Sequence, residues 1–247
     1  MSALSEGGGG RLRLSKLLTE AIVIVGSILL AFGIEASWSE RQERAEESDA
    51  LVSLEAEFAA NLVQIDTVIA RHVTGRELIA MLVELSEAEI RALDQSTVSE
   101  IILATANPFT FDPVLGTTDA LVGAGRLGIL RNPELRQALT TFKNFVEDAE
   151  EDVAVVQSFA EDVWRAQIAL GGPWADPGTE VSINGVVPIP SFVVPATASD
   201  LLRLRSDAEF MGRVAWFHLN AGYYLSELDR IRGQIGVVLD LATGGPD

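Results

Sequence analysis

The sequence predicts a mainly α-helical protein: an N-terminal transmembrane helix, then an antiparallel bundle of long helices with a small Pro-rich hairpin insertion. Three observations lead there. An uncharged run, AIVIVGSILLAFGI, lies between Glu20 and Glu35; apolar residues recur in alternating three- and four-residue steps over three long stretches; and prolines gather in the block 172–199. The expected divisions are a flexible cytoplasmic tail over 1–16, a transmembrane helix over 17–38, the first part of the bundle over 39–171, a Pro/Gly-rich loop with a β-hairpin over 172–199, and a C-terminal bundle helix over 200–243.

The apolar run spans only about 21 Å at 1.5 Å per residue, against a hydrocarbon core of about 30 Å. Adding Leu17, Leu18, Thr19, Ala36, Ser37 and Trp38 brings the helix near the required length and puts Trp38 in the interfacial aromatic belt. Arg11, Arg13 and Lys16 precede it, so the positive-inside rule keeps the N-terminus in the cytoplasm and sends the remainder across the cytoplasmic membrane to the periplasm or extracytoplasmic space. Two other readings compete. Ala31-Phe32-Gly33 resembles a signal-peptidase site, but Glu20 interrupts the start of the apolar region; a soluble core helix would account for the apolarity alone. One stripe of this helix carries Glu20, Ile24, Ser27, Ala31, Glu35 and Trp38. Ser27-x-x-x-Ala31 permits close approach, so Glu20, Ser27, Ala31, Glu35 and Trp38 form the candidate contact stripe toward a second membrane helix, either a membrane-protein partner or another copy.

Beyond the membrane, SERQERAEESDA has neither Gly nor Pro and continues the helix into solvent. Its apolar stripe is read as Leu51, Leu54, Phe58, Leu62, Ile65 and Ile69, with Thr74-Gly75 as a kink or end and Leu78, Ile79, Leu82 and Leu85 resuming the pattern. A shorter helix is expected from Glu87 to Ala106, stopped by Asn107-Pro108 and Asp112-Pro113. Asn132-Pro133-Glu134 supplies an N-cap, a first-turn proline and an acid for a long helix whose seam runs Leu135, Leu139, Phe142, Val146, Ala149, Val153, Val156, Ala160, Val163. Gly171-Gly172-Pro173 ends it. VSINGVVPIP reads as a hairpin turning at Asn184-Gly185. The last helix repeats Val214, Phe217, Ala221, Tyr224, Leu228, Ile231, Ile235, Val238, Leu241.

Composition narrows the chemistry. With 36 acidic against 18 basic residues in 247, a net charge of -18, the chain has no basic cluster to neutralise nucleic-acid phosphates. It has no cysteine, which removes disulfides and thiolate chemistry, and its histidines are His72 and His218 alone. Gly123, Gly125 and Gly128 match G-x-G-x-x-G without the strand and directly following helix of a dinucleotide fold, so turn glycines suffice. The acids from Glu147 to Asp152 read as a solvated helix face. His72 and His218 are expected to be satisfied, partly buried side chains, and Trp164, Trp174 and Trp216 to seal the ends of the bundle. No catalytic residue, metal ligand or cofactor is assigned.

Two stretches, TEAIVIVGSILLAFGIEASWSERQERAEE and TTDALVGAGRLGILRNPELRQALTTF, resemble a bacterial family of uncharacterised single-pass, membrane-anchored helical proteins. The matching positions are Glu20, Gly26, Ala31 and Trp38 in the first and Asp119, Ala120, Leu121, Gly125, Leu127, Asn132, Leu135 and Arg136 in the second. The resemblance covers the first half of the chain, implies a retained anchor and implies no activity. The expected function is accordingly non-enzymatic: a scaffold or accessory subunit of a membrane assembly, with the lipid bilayer as one partner. A membrane-tethered sensor or small-ligand-binding module is the alternative.

Overall fold

The computed structural model describes residues 9–172, 181–182, 186–187 and 196–244. The chain is mainly helical, and its first element dominates it: α1 runs unbroken from Gly9 to Glu84, 76 residues, or roughly 110 Å at 1.5 Å per residue. Helix therefore begins inside the tail expected to be flexible over 1–16, and Arg11, Arg13 and Lys16 lie on the same helix as the apolar run. Thr74-Gly75 does not end α1. A mid-helix glycine costs only about 1 kcal/mol, and burial of Ile79 and Leu82 beyond it outweighs that.

The segment expected as one helix over Glu87 to Ala106 is two, α2 (Glu87–Ala92) and α3 (Gln95–Ala104). Each has its own start signal. Ser86 and Glu89 form a reciprocal capping box, and the Asp94 carboxylate accepts from the Thr97 N–H at 2.9 Å, so the chain turns at Leu93 to begin again. One helical turn, α4 (Gly116–Thr118), passes directly into a π-helical turn over Asp119–Gly123, followed by a 3-10 turn over Leu127–Ile129. Asn132 then caps α5 (Pro133–Ala169) as its sequence foretells, its Oδ1 accepting from the N–H groups of Glu134 and Leu135.

After α5, β1 (Val181–Ser182) pairs antiparallel with β2 (Val186–Val187), in the register Val181 opposite Val187. The Asn184-Gly185 turn and Trp174 lie outside the described residues. The final helix is interrupted once: α6 (Ala198–Ser206) ends at Asp207, which caps α7 (Ala208–Ala242) by accepting from the Phe210 N–H.

The core forms where α1, α5 and α7 meet. α7 runs opposite to α5, because Gln234 donates to the Ala138 carbonyl near one end and Arg213 approaches Asp162 near the other. It also runs opposite to α1, where Asp66 meets Arg232 and, farther along α1, the His72 ring packs against Tyr224. Phe58 of α1 lies against Phe142 of α5 with ring centroids 4.7 Å apart. The buried positions of α1 are Leu54, Glu57, Phe58, Asn61, Ile65, Val68, His72, Ile79 and Leu82. Leu51, Leu62 and Ile69, assigned to the stripe from sequence, lie at its edge and are only partly buried. Trp164 and Trp216 do not seal an end. Both are about half exposed, and Trp216 stacks on Phe159 at the surface.

Candidate functional site

Glu20, Ser27, Ala31, Glu35 and Trp38 all lie on α1 and are all exposed, as is every residue from Val23 to Trp38. This N-terminal stretch is long and apolar enough to cross a membrane, and no other described part of the chain covers it. The Ser27 hydroxyl donates to the Val23 carbonyl at 2.8 Å, which satisfies it within its own helix, the arrangement a hydroxyl needs in hydrocarbon.

A second group of residues comes together that the sequence foretells only in part: it marks His72 as a satisfied, partly buried side chain and Tyr224 as a seam residue, but not their grouping with Glu57 and Asn61. The connection from α3 to α5 crosses α1, and buried polar side chains hold its backbone at four points. Glu57 accepts from the N–H groups of Thr117 at 2.5 Å and Thr118 at 3.0 Å and from Thr118 Oγ1 at 2.6 Å. Three donors at the start of the α4 and π-helical segment thus satisfy the buried Glu57 carboxyl. Asn61 donates to the Val114 carbonyl and accepts from the Val114 N–H, the two-point pairing of a strand made by one amide. His72 Nε2 lies 2.8 Å from the Phe109 carbonyl, and its ring packs edge-on to Phe109 and Tyr224. Tyr224, from α7, accepts from the Phe111 N–H at 3.0 Å.

Burial shifts two of these groups. It pushes the His72 imidazole below its usual range, partly offset by the Phe109 carbonyl, so the ring is neutral at pH 7 and its Nε2–H donates. Burial pushes the Tyr224 phenol up to about 12, against the Phe111 N–H, which favours the phenolate. Both groups are held in their neutral forms as structural hydrogen-bonding partners.

Beside this strap, α1 and α3 enclose an open groove of about 700 Å³. Ala70, Leu78, Leu103 and Phe109 make it mainly apolar, and the Arg71 guanidinium lies 5.4 Å from the centre of the Phe109 ring at its edge. That volume lies within the range of small-molecule sites. The glycine motif is a turn: Gly125 alone of its three glycines has a positive φ, 71°, and the Arg126 N–H closes the loop onto the Leu121 carbonyl. The acids at 147–152 lie mostly exposed, and no group of three or more metal-ligating side chains occurs among the described residues. His218 is half-buried, its imidazole lowered by burial and by Arg76.

No family model matches this chain, and no curated protein or solved structure matches it either.

Proposed function

We propose that this protein is a single-pass, non-enzymatic scaffold or accessory subunit of a membrane assembly, presenting an antiparallel helical bundle with a Pro-rich hairpin outside the cytoplasmic membrane. The supporting observation is the continuity of α1, which carries the exposed apolar segment and the core positions from Leu54 onward on one unbroken helix. From Trp38 to Leu54 the helix advances about 24 Å. A stiff, charged stalk of that length holds a folded domain clear of the headgroups at a fixed height, which suits a spacer or docking platform. The buried polar groups Glu57, Asn61, His72 and Tyr224 bind the chain's own backbone, which favours a structural role over a reactive one. The resemblance to membrane-anchored helical proteins supports the same reading.

Membrane topology tests it. Reporter fusions after Trp38 and at Asp247 should both register outside the cytoplasm, and the full-length chain should resist alkaline extraction. A mature N-terminus near Ile34 or Ser37 would sink the anchor.

The groove between α1 and α3 favours a second reading, a tethered small-ligand module. A ligand that prefers the folded state raises its melting temperature. A reproducible shift from a metabolite screen, lost in Leu103→Arg, would support the ligand module against the scaffold; a screen without such a shift would remove it.

A further inference from the structure

The groove between α1 and α3 is mainly apolar, yet it carries two charges that the fold leaves unused. Small side chains keep it open: Ala70 and Gly75 of α1 and Ala104 of α3 stand where large ones would fill it, and a β-carbon on Gly75 would meet no atom within 4 Å. Three charged residues line it. Asp66 is already paired, with Arg232 at 2.5 Å. Arg71 and Glu100 make neither a hydrogen bond nor an ion pair among the described residues. The contact of Arg71 with the Phe109 ring engages its positive charge and uses none of its five N–H donors. The side chains of Thr74 and Asn107, also on the groove, are likewise without a hydrogen bond among the described residues.

Charge balance selects the occupant. An anion on an apolar body satisfies Arg71 but brings a like charge against Glu100 and toward a chain of net charge -18. An apolar amine satisfies Glu100 and meets Arg71 with a like charge. A ligand with both signs on an apolar body answers both residues and is neutral overall. We infer that the groove takes a short apolar peptide with free ends, its carboxylate on the Arg71 guanidinium and its ammonium on Glu100. The volume of about 700 Å³ lies in the range of drug-sized ligands, which gives room for several apolar residues rather than a single amino acid. Leu78, Leu103 and Phe109 offer apolar surface to its side chains, and Thr74 and Asn107 offer polar groups to its internal peptide bonds. The inference deepens the small-ligand-module reading above and rests on it.

Calorimetric titration of the full-length chain in lipid nanodiscs tests it, with trileucine, N-acetyl-trileucine, trileucine amide, leucine and octanoate as probes. Trileucine should bind, and blocking either end should weaken it roughly fivefold. The two blocks should act through different residues. Acetylation should cost nothing further in Glu100→Gln, and amidation nothing further in Arg71→Gln; both sites are exposed, so melting should change little. Gly75→Leu places a side chain in the open groove and raises helix propensity, so it should abolish binding with melting unchanged or raised.

Equal binding of free and blocked peptides, or end-block losses that persist in both charge variants, overturns the peptide assignment. Binding of octanoate or leucine in place of trileucine, lost in Gly75→Leu, overturns the peptide and leaves the ligand module standing. No binding by any of the five probes overturns the peptide, and a metabolite screen without a melting shift then removes the module as well.

Discussion

Glu57 and Thr118 are 61 residues apart in sequence, yet Glu57 Oε1 accepts from both the N–H and the hydroxyl of Thr118, at 3.0 and 2.6 Å. The pair joins the buried face of α1 to the start of the α4 and π-helical segment, so the long connection between α3 and α5 is held from inside the fold. Glu57→Ala would strand the Thr117 and Thr118 donors beneath the strap and should cost about 3 kcal/mol. Glu57→Gln keeps one acceptor oxygen and should cost about half as much. Urea unfolding of the two variants checks the order, and equal small losses would show that the strap relaxes to water.

Tyr224 secures the same strap from the opposite helix. Tyr224→Phe retains the ring packing against His72 but leaves the buried Phe111 N–H without its acceptor, so a loss of about 1–2 kcal/mol is expected. Hydrogen exchange offers the sharper measurement. The Phe111 amide should lose protection in the variant while amides in the middle of α5 keep theirs.

The regular elements were legible where packing follows period. In α5 the positions Leu135, Leu139, Phe142, Val146, Ala149, Val156, Ala160 and Val163 are buried, and in α7 so are Val214, Phe217, Ala221, Tyr224, Leu228, Ile231, Ile235 and Val238. The stripe of α1 read from sequence has Leu54, Phe58 and Ile65 rightly in the core but its centre displaced toward Leu51, Leu62 and Ile69 at the edge. The cause is that Asn61, which hydrophobicity alone assigns to solvent, and His72, expected to be only partly buried, occupy core positions. Their partners are backbone groups of Val114 and Phe109, 53 and 37 residues away, and backbone carries no sequence signal. A polar residue interrupting a strict apolar repeat was the available clue. The splits at Asp94 and Asp207 were likewise written in cap residues that an unbroken apolar pattern obscures. The residues of the candidate stripe in the apolar segment share one helix, as their spacing requires, and all of them are exposed.

The glycine motif yields a test that separates a turn from a phosphate-binding loop. Gly125 has φ of 71°, where a β-carbon is strained, while Gly128 has ordinary backbone and open space beside it. Gly125→Ala should therefore destabilise by about 1 kcal/mol and Gly128→Ala by less than about 0.5 kcal/mol. A loop that must approach a pyrophosphate closely would be sensitive at both positions in ligand binding. Parallel urea melts and nucleotide titrations of the two variants distinguish the cases.

His72 gives the fold a pH dependence whose sign follows from its burial. Its folded pKa is lowered, so the unfolded chain binds a proton more readily, and folding stability must fall as pH drops below the unfolded value of about 6.5. Its full contribution is present above that value, is lost progressively as pH approaches the lowered folded pKa, and declines no further below it. His218 is lowered by burial and by Arg76, so it adds a component of the same sign. Replacing His72 with glutamine keeps an amide donor for the Phe109 carbonyl but removes the titration. Between pH 7.5 and 5.5 the wild-type melting temperature should decline, and His72→Gln should flatten that decline while leaving the part due to His218. An unchanged slope in the variant would mean that the imidazole reaches water in the native state, against the contacts it makes with Phe109 and Tyr224.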